Sequence, residues 1–497
     1  MAHKTLVGGT AYNITGGKSL VSGTTYNITK GKTLVGGTGY NINFSIPEAD
    51  TIMLYNTGEL VFQSGDSVAE GKTLIASYDM VTDNYNVLAD NYANAESVPW
   101  YANRGKIRNV YSTGEIAPYS MSYWFSGYSA NFVNMNMNSF NFNCVTNMVY
   151  TFRNCANLTC FPVCGPNVTN MVYAYWNCKK MTGSPVCGDN VINMQNTYYN
   201  CQNLTGSPVC GPNVIDMKYA YAYCNNLSGP PVCGNNVTNM SWAYINCFRI
   251  TGAPVCGDNV TSLYHTYGSC SNLTGSPVCG NNVAGALYYT YQNCYNLTGS
   301  PVCGPNVTQM LGTYRNCSRL TGSPVCGPKV TGMSQTYENC RNLTGSPVCG
   351  PKVTDMANTY RDCHKLTGSP VFGPNVTAAA WAYYNSKNLA GNAYCYSKNL
   401  RNVYGMFASK NNSKMLNIYV PSNSNTSTYI LNDYANASVV AARIYWANAG
   451  SYYYNTAYNI YIYPVANVVE AARANGDEEA NYNAGIIERP NIETEPT

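Results

Sequence analysis

Charge is scarce in this 497-residue chain: only 10% of its residues are Asp, Glu, Lys or Arg, against about 25% in ordinary soluble domains. The net charge of +4 is spread thinly, with no Lys/Arg-dense stripe, which argues against nucleic acid or an anionic membrane as partner. No run approaches 18 apolar residues, so no membrane insertion is expected. The N-terminal "MAHKTLVGGTAYNITGG" has neither an apolar core nor a cleavage site and does not read as a secretory signal. A role outside a cell would then need another exit, such as lysis with the protein already built into a particle. Histidine is rarer still, with His3, His265 and His364 alone. No G-x-S-x-G elbow, P-loop, H-E-x-x-H or Rossmann glycine set is present.

Polarity comes instead from Asn, Thr, Ser, Gly and 46 Tyr, and 13% of the chain is aromatic, which argues against disorder. The 22 cysteines could mean disulfides, metal or core, and their spacing decides among these. One series runs Cys155, Cys178, Cys201, Cys224, Cys247, Cys270, Cys294, Cys317, Cys340, Cys363. The other runs Cys164, Cys187, Cys210, Cys233, Cys256, Cys279, Cys303, Cys326, Cys349, with Phe372 in the next place. The step is 23 residues, with a single 24 at "NNVAGALYYTY", and a fixed period of this size marks a solenoid. Equivalent residues then stack about 4.8 Å apart with parallel side chains, whereas a disulfide needs Cβ atoms about 3.5–4.5 Å apart and turned toward each other. Zinc needs four converging ligands, which a straight file cannot offer. Reduced thiols in a buried slot that also accepts Phe are the expectation, with no metal and no cofactor.

Four segments are legible. Residues 1–44 repeat a 14-residue phrase, "KTLVGGTAYNITGG", "KSLVSGTTYNITKG", "KTLVGGTGYNINF", each reading as a small β-hairpin too short to be stable alone. Residues 45–143 contain strand-like "GELVFQSGD" and "KTLIASYDM" and read as a β-rich capping domain. Residues 144–385 carry the 23-residue array. Residues 386–497 form a C-terminal capping region that keeps echoes of the array in "KMLNIYVP" and "YNIYIYP", with a helix expected over Val465–Gly476 and a frayed tail "NIETEPT". Within one step, "GSPVC" reads as a short strand, "GPK" as a turn, and "VTDMANTYRDC" as a second short strand or one helical turn. The Tyr file at "TY" (Tyr198, Tyr221, Tyr244, Tyr267, Tyr291, Tyr314, Tyr337, Tyr360) is expected half-buried with its hydroxyl wet.

The unit C-x-x-L-x-x-x-x-V…V-T-x-M-x-x-[TA]-Y-x-x-C resembles the BspA-like leucine-rich repeats, and "PWYANRGKIRNVY" (Pro99 to Tyr111) is similar to the lead-in of such arrays. The resemblance covers about 99–385 and departs in Tyr for Phe, Met for Ile and a second Cys. It implies a mainly β fold, a right-handed solenoid of ~23-residue BspA-like leucine-rich repeats with short strands. N-terminal β-hairpin repeats and a C-terminal α/β cap would flank it. The phrases of residues 4–44 resemble those of tail and other virion proteins of phages, implying contacts with other virion proteins through residues 1–44.

Chemistry has little footing. His265 and His364 lie about four steps, roughly 20 Å, apart. Asp189 and Asp258 are three steps, about 14 Å, apart, too far for a glycosidase pair at about 5–9.5 Å. Neither an enzyme nor catalytic residues are expected. The N-L-T and N-V-T words match glycosylation acceptors but read as turn asparagines.

What varies is the two residues after the Met slot, the residue before "NC" and one or two after the Cys. Early steps place aromatics there, and the candidate ligand face is Tyr173, Trp176, Tyr199, Tyr219, Trp242, Tyr264, His265, Tyr288 and Tyr289. Later steps carry Arg315, Arg319, Lys329, Arg341, Lys352, Arg361 and Lys365. Aligned Trp and Tyr offer flat apolar surface to sugar rings or a protein; the same rings could instead cover the edges of the stack or meet a sister chain in a homo-oligomer. The expected function is a phage virion (tail or fibre) adhesin for a bacterial surface glycan or protein, made in the bacterial cytoplasm. A structural decoration or fibre subunit, or a bacterial or protist cell-surface adhesin, is the alternative.

Overall fold

In a computed structural model, residues 51–389 are described except for 64–66, 80–91, 114–115, 129–130 and 137–139. Outside that span the described parts are Ser397, Leu400, Met406 and the backbone of eleven strands. The expected helix over Val465–Gly476 and the tail lie outside the described residues. Among the described residues helix is confined to short 3-10 turns at Ala95–Ser97, Tyr101–Lys106 and Phe142–Cys144.

The N-terminal phrases form antiparallel pairs as their sequence suggests. β1 (His3–Val7) pairs with β2 (Thr10–Thr15), β3 (Lys18–Val21) with β4 (Thr24–Asn27), and β5 (Lys32–Val35) with β6 (Thr38–Asn41). β2 also pairs with β3, giving a four-stranded sheet. "GELVFQSGD" and "KTLIASYDM" fall on β8 (Glu59–Gln63) and β9 (Leu74–Asp79), which flank the buried β7 (Thr51–Tyr55) in antiparallel pairing. On the other side of β8 the pairing turns parallel, through β10 (Asn109–Ser112) to β11 (Asn134–Met135).

From there the chain is a pile of layers. Isolated parallel bridges join Ser120 to Asn147, Asn170, Asn193, Asp216, Asn239 and Ser262, and later Gln309 to Gly332, Asp355 and Ala378. Between them, β12 (Ala284–Ala286) pairs with β13 (Asn306–Gln309), and a bulge at Gly285 (φ +74) absorbs the one extra residue of the 24-residue step. After β14 (Val371–Phe372), parallel pairing continues through β15 (Gly391–Cys395), β16 (Leu416–Val420) and β17 (Ala442–Trp446). β18 (Tyr453–Asn455) then closes the edge antiparallel to β19 (Ile460–Pro464). The sequence echoes after 386 are thus strands of the same parallel stack.

Strand, however, is scarcer inside the array than its sequence suggests: among the described residues of "GSPVC" segments only Val371–Phe372 is a strand. The second half of each layer bonds in a mixed pattern. In one layer Met171, Tyr173, Tyr175 and Asn177 donate N–H to the next layer (Asn193, Gln195, Thr197, Tyr199; 2.7–3.0 Å). Their neighbours Ala174, Trp176 and Cys178 donate to carbonyls three residues back. Half of the amides make a parallel ladder and half make turns, so the segment is neither a regular strand nor a helix.

Inside, like sits on like. Leu, Val, Met and the first cysteine file are fully buried, in one continuous core running from Ile52 to Met406. All described cysteines are free thiols. Those of the first file also act as donors: Cys178, Cys201 and Cys224 Sγ lie 2.9–3.0 Å from carbonyls of Phe152, Tyr175 and Tyr198 in the preceding layer. The second file is half-buried, except for the buried Cys349. Burial raises its thiols, to about 11 at Cys164 and about 12 at Cys187.

The Tyr file corrects the expectation of a wet hydroxyl. Its rings are fully buried and nearly parallel, 5.3–5.7 Å apart. Tyr198 Oη donates to the Val186 carbonyl (2.6 Å) and accepts from the Val186 N–H (3.0 Å), and the clip recurs layer after layer. Because "PVC" is not paired as a strand, its valine would leave two backbone groups unsatisfied in the interior, a costly arrangement. The phenol satisfies both.

Candidate functional site

All nine aromatic candidates are half-exposed, and the layers bring them into one connected strip. Tyr173 meets Trp176 (6.3 Å), which stacks on Tyr199 (5.6 Å), which meets Tyr219 edge-on (6.0 Å). Tyr219 stacks on Trp242 (4.8 Å, 12°), Trp242 on His265 (5.7 Å, 7°), and His265 leans on Tyr289 (4.9 Å, 31°). Tyr264 touches Trp242, His265 and Tyr288 at 4.4–5.5 Å. Burial lowers the His265 pKa, which favours a neutral ring inside this stack.

Five of the nine, Tyr173, Tyr219, Trp242, His265 and Tyr289, share an unusual backbone. Every second residue after Met has a left-handed φ of +52° to +58°: Tyr150, Tyr173, Asn196, Tyr219, Trp242, His265, Tyr289, Gly312, Gln335, Asn358 and Trp381. The Asn of "NC" four residues later does the same (Asn154, Asn177, Asn200). For a bulky side chain this region costs about 1–2 kcal/mol. Mutual stacking, worth about 0.5–1.5 kcal/mol per pair, is the available compensation. The strip ends where the compensation does: a Cβ on Gly312 would collide with the Tyr289 ring, which takes the space a side chain there would need.

Flat apolar surface is not what most of the strip presents. Rings stacked along the pile cover one another's faces and leave edges and hydroxyls outward, as in Tyr150–Tyr173 (4.8 Å, 5°). Tilted rings are concentrated at Tyr199, Tyr223, Tyr264 and Tyr288. Two cations border the strip: Arg153 lies over Tyr150 and Trp176 (5.4 and 5.1 Å), and Lys218 over Tyr219 and Trp242 (5.9 and 5.8 Å).

Sequence reading missed the start of the strip. Tyr123 (φ +61) stacks on Tyr150 (4.8 Å) and belongs to an earlier layer, whose Met121, Tyr123, Phe125 and Gly127 donate to Asn147, Val149, Thr151 and Arg153. Layering therefore begins ahead of the 143/144 boundary. The signal was present: "SMSYWFSG" has the phase of "NMVYTFRN", displaced by 27 residues instead of 23.

The later steps turn the same strip polar. Arg315 pairs with Glu338 of the next layer (2.9 Å), and Arg361 with Asp362 (3.5 Å). Arg361 also lies over Trp381 and Tyr384 (5.6 and 5.2 Å), which meet each other edge-on at 4.9 Å. Among the described residues no three His, Cys, Asp or Glu side chains gather as a metal site, and no helix is long and apolar enough to cross a membrane. No family model, curated protein or solved structure matches the chain.

Proposed function

We propose that this chain is a non-enzymatic adhesion protein of a phage virion, attached to other virion proteins through residues 1–44 and binding a bacterial surface glycan or protein. In this reading residues 99–385 are a right-handed solenoid of BspA-like leucine-rich repeats. The observation that carries the binding role is the half-exposed aromatic strip, continuous from Tyr123 to Tyr289 across consecutive layers. Rings held in the left-handed region are a poor choice for stability alone, and Asn196 and Gly312 stand at the same position, so the fold does not demand them. Clustered Trp and Tyr are the residues on which recognition surfaces concentrate their binding energy. The test is attachment of the full-length protein to host cells. The double variant Tyr219→Ala/Trp242→Ala should lose about tenfold or more in affinity while keeping its fold; unchanged attachment would remove the reading.

Exposed Tyr223 (37%), Phe248 (43%) and Tyr295 (47%) favour a second reading, a structural decoration or fibre subunit that packs against copies of itself. Particles made with Phe248→Ser/Tyr295→Ser should then fail to assemble, whereas an adhesin variant would assemble and fail to attach. A bacterial or protist cell-surface adhesin would use the same strip and would be bound to the producing cell.

A further inference from the structure

The residues just after the first cysteine file form another column, on the corner next to the strip. Through the middle layers it is neutral: Gln202, Asn225, Phe248, Ser271, Tyr295 and Ser318. In the last layers it becomes Arg341, His364 and Lys387, with Arg319 and Lys365 one residue further on. Arg319, Arg341 and Lys365 are exposed, and His364 and Lys387 half-buried. The layer step here, read from the Tyr337, Tyr360 and Tyr383 rings, is 5.3–5.5 Å. Like charges at such spacing repel, and both Lys387 and Arg341 act electrostatically on His364. Among the described residues the carboxylate beside His364, Asp362, is already engaged: Arg361 lies at 3.5 Å, His364 at 3.8 Å, and Asn385 donates to it at 2.6 Å.

A second observation is that two of these cations stand where the adjacent layers make an interlayer bond. In neighbouring layers the second position after Cys is Asn, whose amide stitches layers together. Asn296 donates to the Ser271 carbonyl (3.0 Å), Asn342 to Ser318 (2.9 Å) and Asn388 to His364 (2.8 Å). Arg319 and Lys365 stand where that stitch would be made, so the chain gives up an interlayer hydrogen bond and accepts repulsion in return for a line of positive charge. Beside the line, the Arg361 guanidinium and the edge-on Trp381–Tyr384 pair supply the mix of cation and ring that suits a charged sugar.

We propose that this corner binds an acidic polysaccharide laid along the stack, with Arg319, Arg341, Lys365 and Lys387 pairing its carboxylates or other anionic groups and Trp381 and Tyr384 flanking its rings. The inference rests on the adhesion reading and narrows its ligand class. A polymer fits better than a small anion because the cations form a row, one layer apart, and not a converging pocket. Protonation of His364, held neutral toward lower pH by burial, Lys387 and Arg341 and opposed by Asp362, would add one more cation.

The full-length protein is tested against immobilised polygalacturonate, neutral dextran, polyphosphate and duplex DNA at low and high NaCl. Polygalacturonate should be retained, dextran should not, and salt should weaken retention. The variant Arg341→Gln/Lys365→Gln/Lys387→Gln, altered only at the outer corner, should keep its melting temperature and lose roughly tenfold or more in affinity. Retention of polyphosphate or DNA as strong as that of polygalacturonate would mean undirected attraction of polyanions and overturn the proposal, as would an unaffected triple variant. If host cells are bound but polygalacturonate is not, this inference alone falls; if neither is bound, the adhesion reading falls with it.

Discussion

The early and late halves of the array share an interior and differ outside. From Tyr150 to Tyr289 the left-handed position after Met is occupied mainly by rings that lie on one another; from Gly312 to Asn358 it holds Gly, Gln and Asn. The neighbouring position changes likewise, from Trp176 and Tyr199 to Arg315, Glu338 and Arg361. Beneath both, the Tyr clip, the Cys–carbonyl bond and the layer ladder are the same. The comparison teaches that the interior files set the fold and leave two columns open to vary, one satisfied by stacking and the other by residues that tolerate the backbone. Function is to be sought in those columns.

The largest expected effect tests the shared interior. Burial raises second-file thiols to about 11 at Cys256 in the early half and about 11 at Cys326 in the late half. Their unfolded counterparts ionise near 8.5. Between these values the unfolded chain holds fewer protons than the folded one, so stability falls as pH rises. It is fully present below about pH 8 and drains away through about pH 11. Many layers contribute, so the melting temperature under reducing conditions should drop steeply and cooperatively over that window. Two separate transitions would break the claim that the halves share one core.

Next in size are the phenol clips. Tyr221→Phe and Tyr337→Phe each strand the N–H and carbonyl of one valine, Val209 and Val325. Each should cost about 1–3 kcal/mol, the same in both halves, measured by denaturant unfolding.

Those clips also mark where sequence reading stopped. The period, the buried Cys, Leu, Val and Met files and the outward columns were legible, because identical letters at fixed phase are what stacking buries. The buried hydroxyl was not. Tyr alone suggests a wet tip, and only the unpaired backbone of "PVC" reveals what the hydroxyl does. Nor could the ring strip be seen as edge-on, since propensity argues against Tyr or Trp in the left-handed region and stacking becomes visible only once the layers are superposed. Of the candidate site, the nine residues were identifiable by phase, while Tyr123 was hidden by its 27-residue displacement.

One substitution made in each half should have opposite signs. Gln335→Gly removes a side chain held at φ +55, whose Oε1 is buried without a partner. Stability should rise by up to about 1 kcal/mol, the relief of the left-handed penalty exceeding the entropy cost of glycine. Trp242→Gly relieves the same backbone yet loses the contacts with Tyr219, Tyr264 and His265, and stability should fall by about 1–3 kcal/mol. Equal signs in thermal melts would show that stacking does not compensate for strain in the early half.

The smallest effect concerns the second left-handed position. Its asparagines form an amide ladder: Asn177 donates to Asn154 (3.0 Å), Asn200 to Asn177 (2.7 Å), and later Asn316 to Asn293 (2.7 Å) and Asn339 to Asn316 (2.9 Å). Tyr223 interrupts it in the early half at φ +63, and Gln202 Nε2 takes the Asn200 acceptor at 2.9 Å. Tyr223→Asn would put the residue that best tolerates this backbone between Asn200 and Asn246, able to donate to one and accept from the other. Against this stand the loss of the tilted Tyr199 contact at 5.3 Å and the displacement of Gln202. The net should be a gain of about 0.5 kcal/mol. A loss in melting temperature instead would mean that ring contact outweighs amide pairing even at a 59° tilt, and the early half would then be held from outside by its aromatics more than by its backbone.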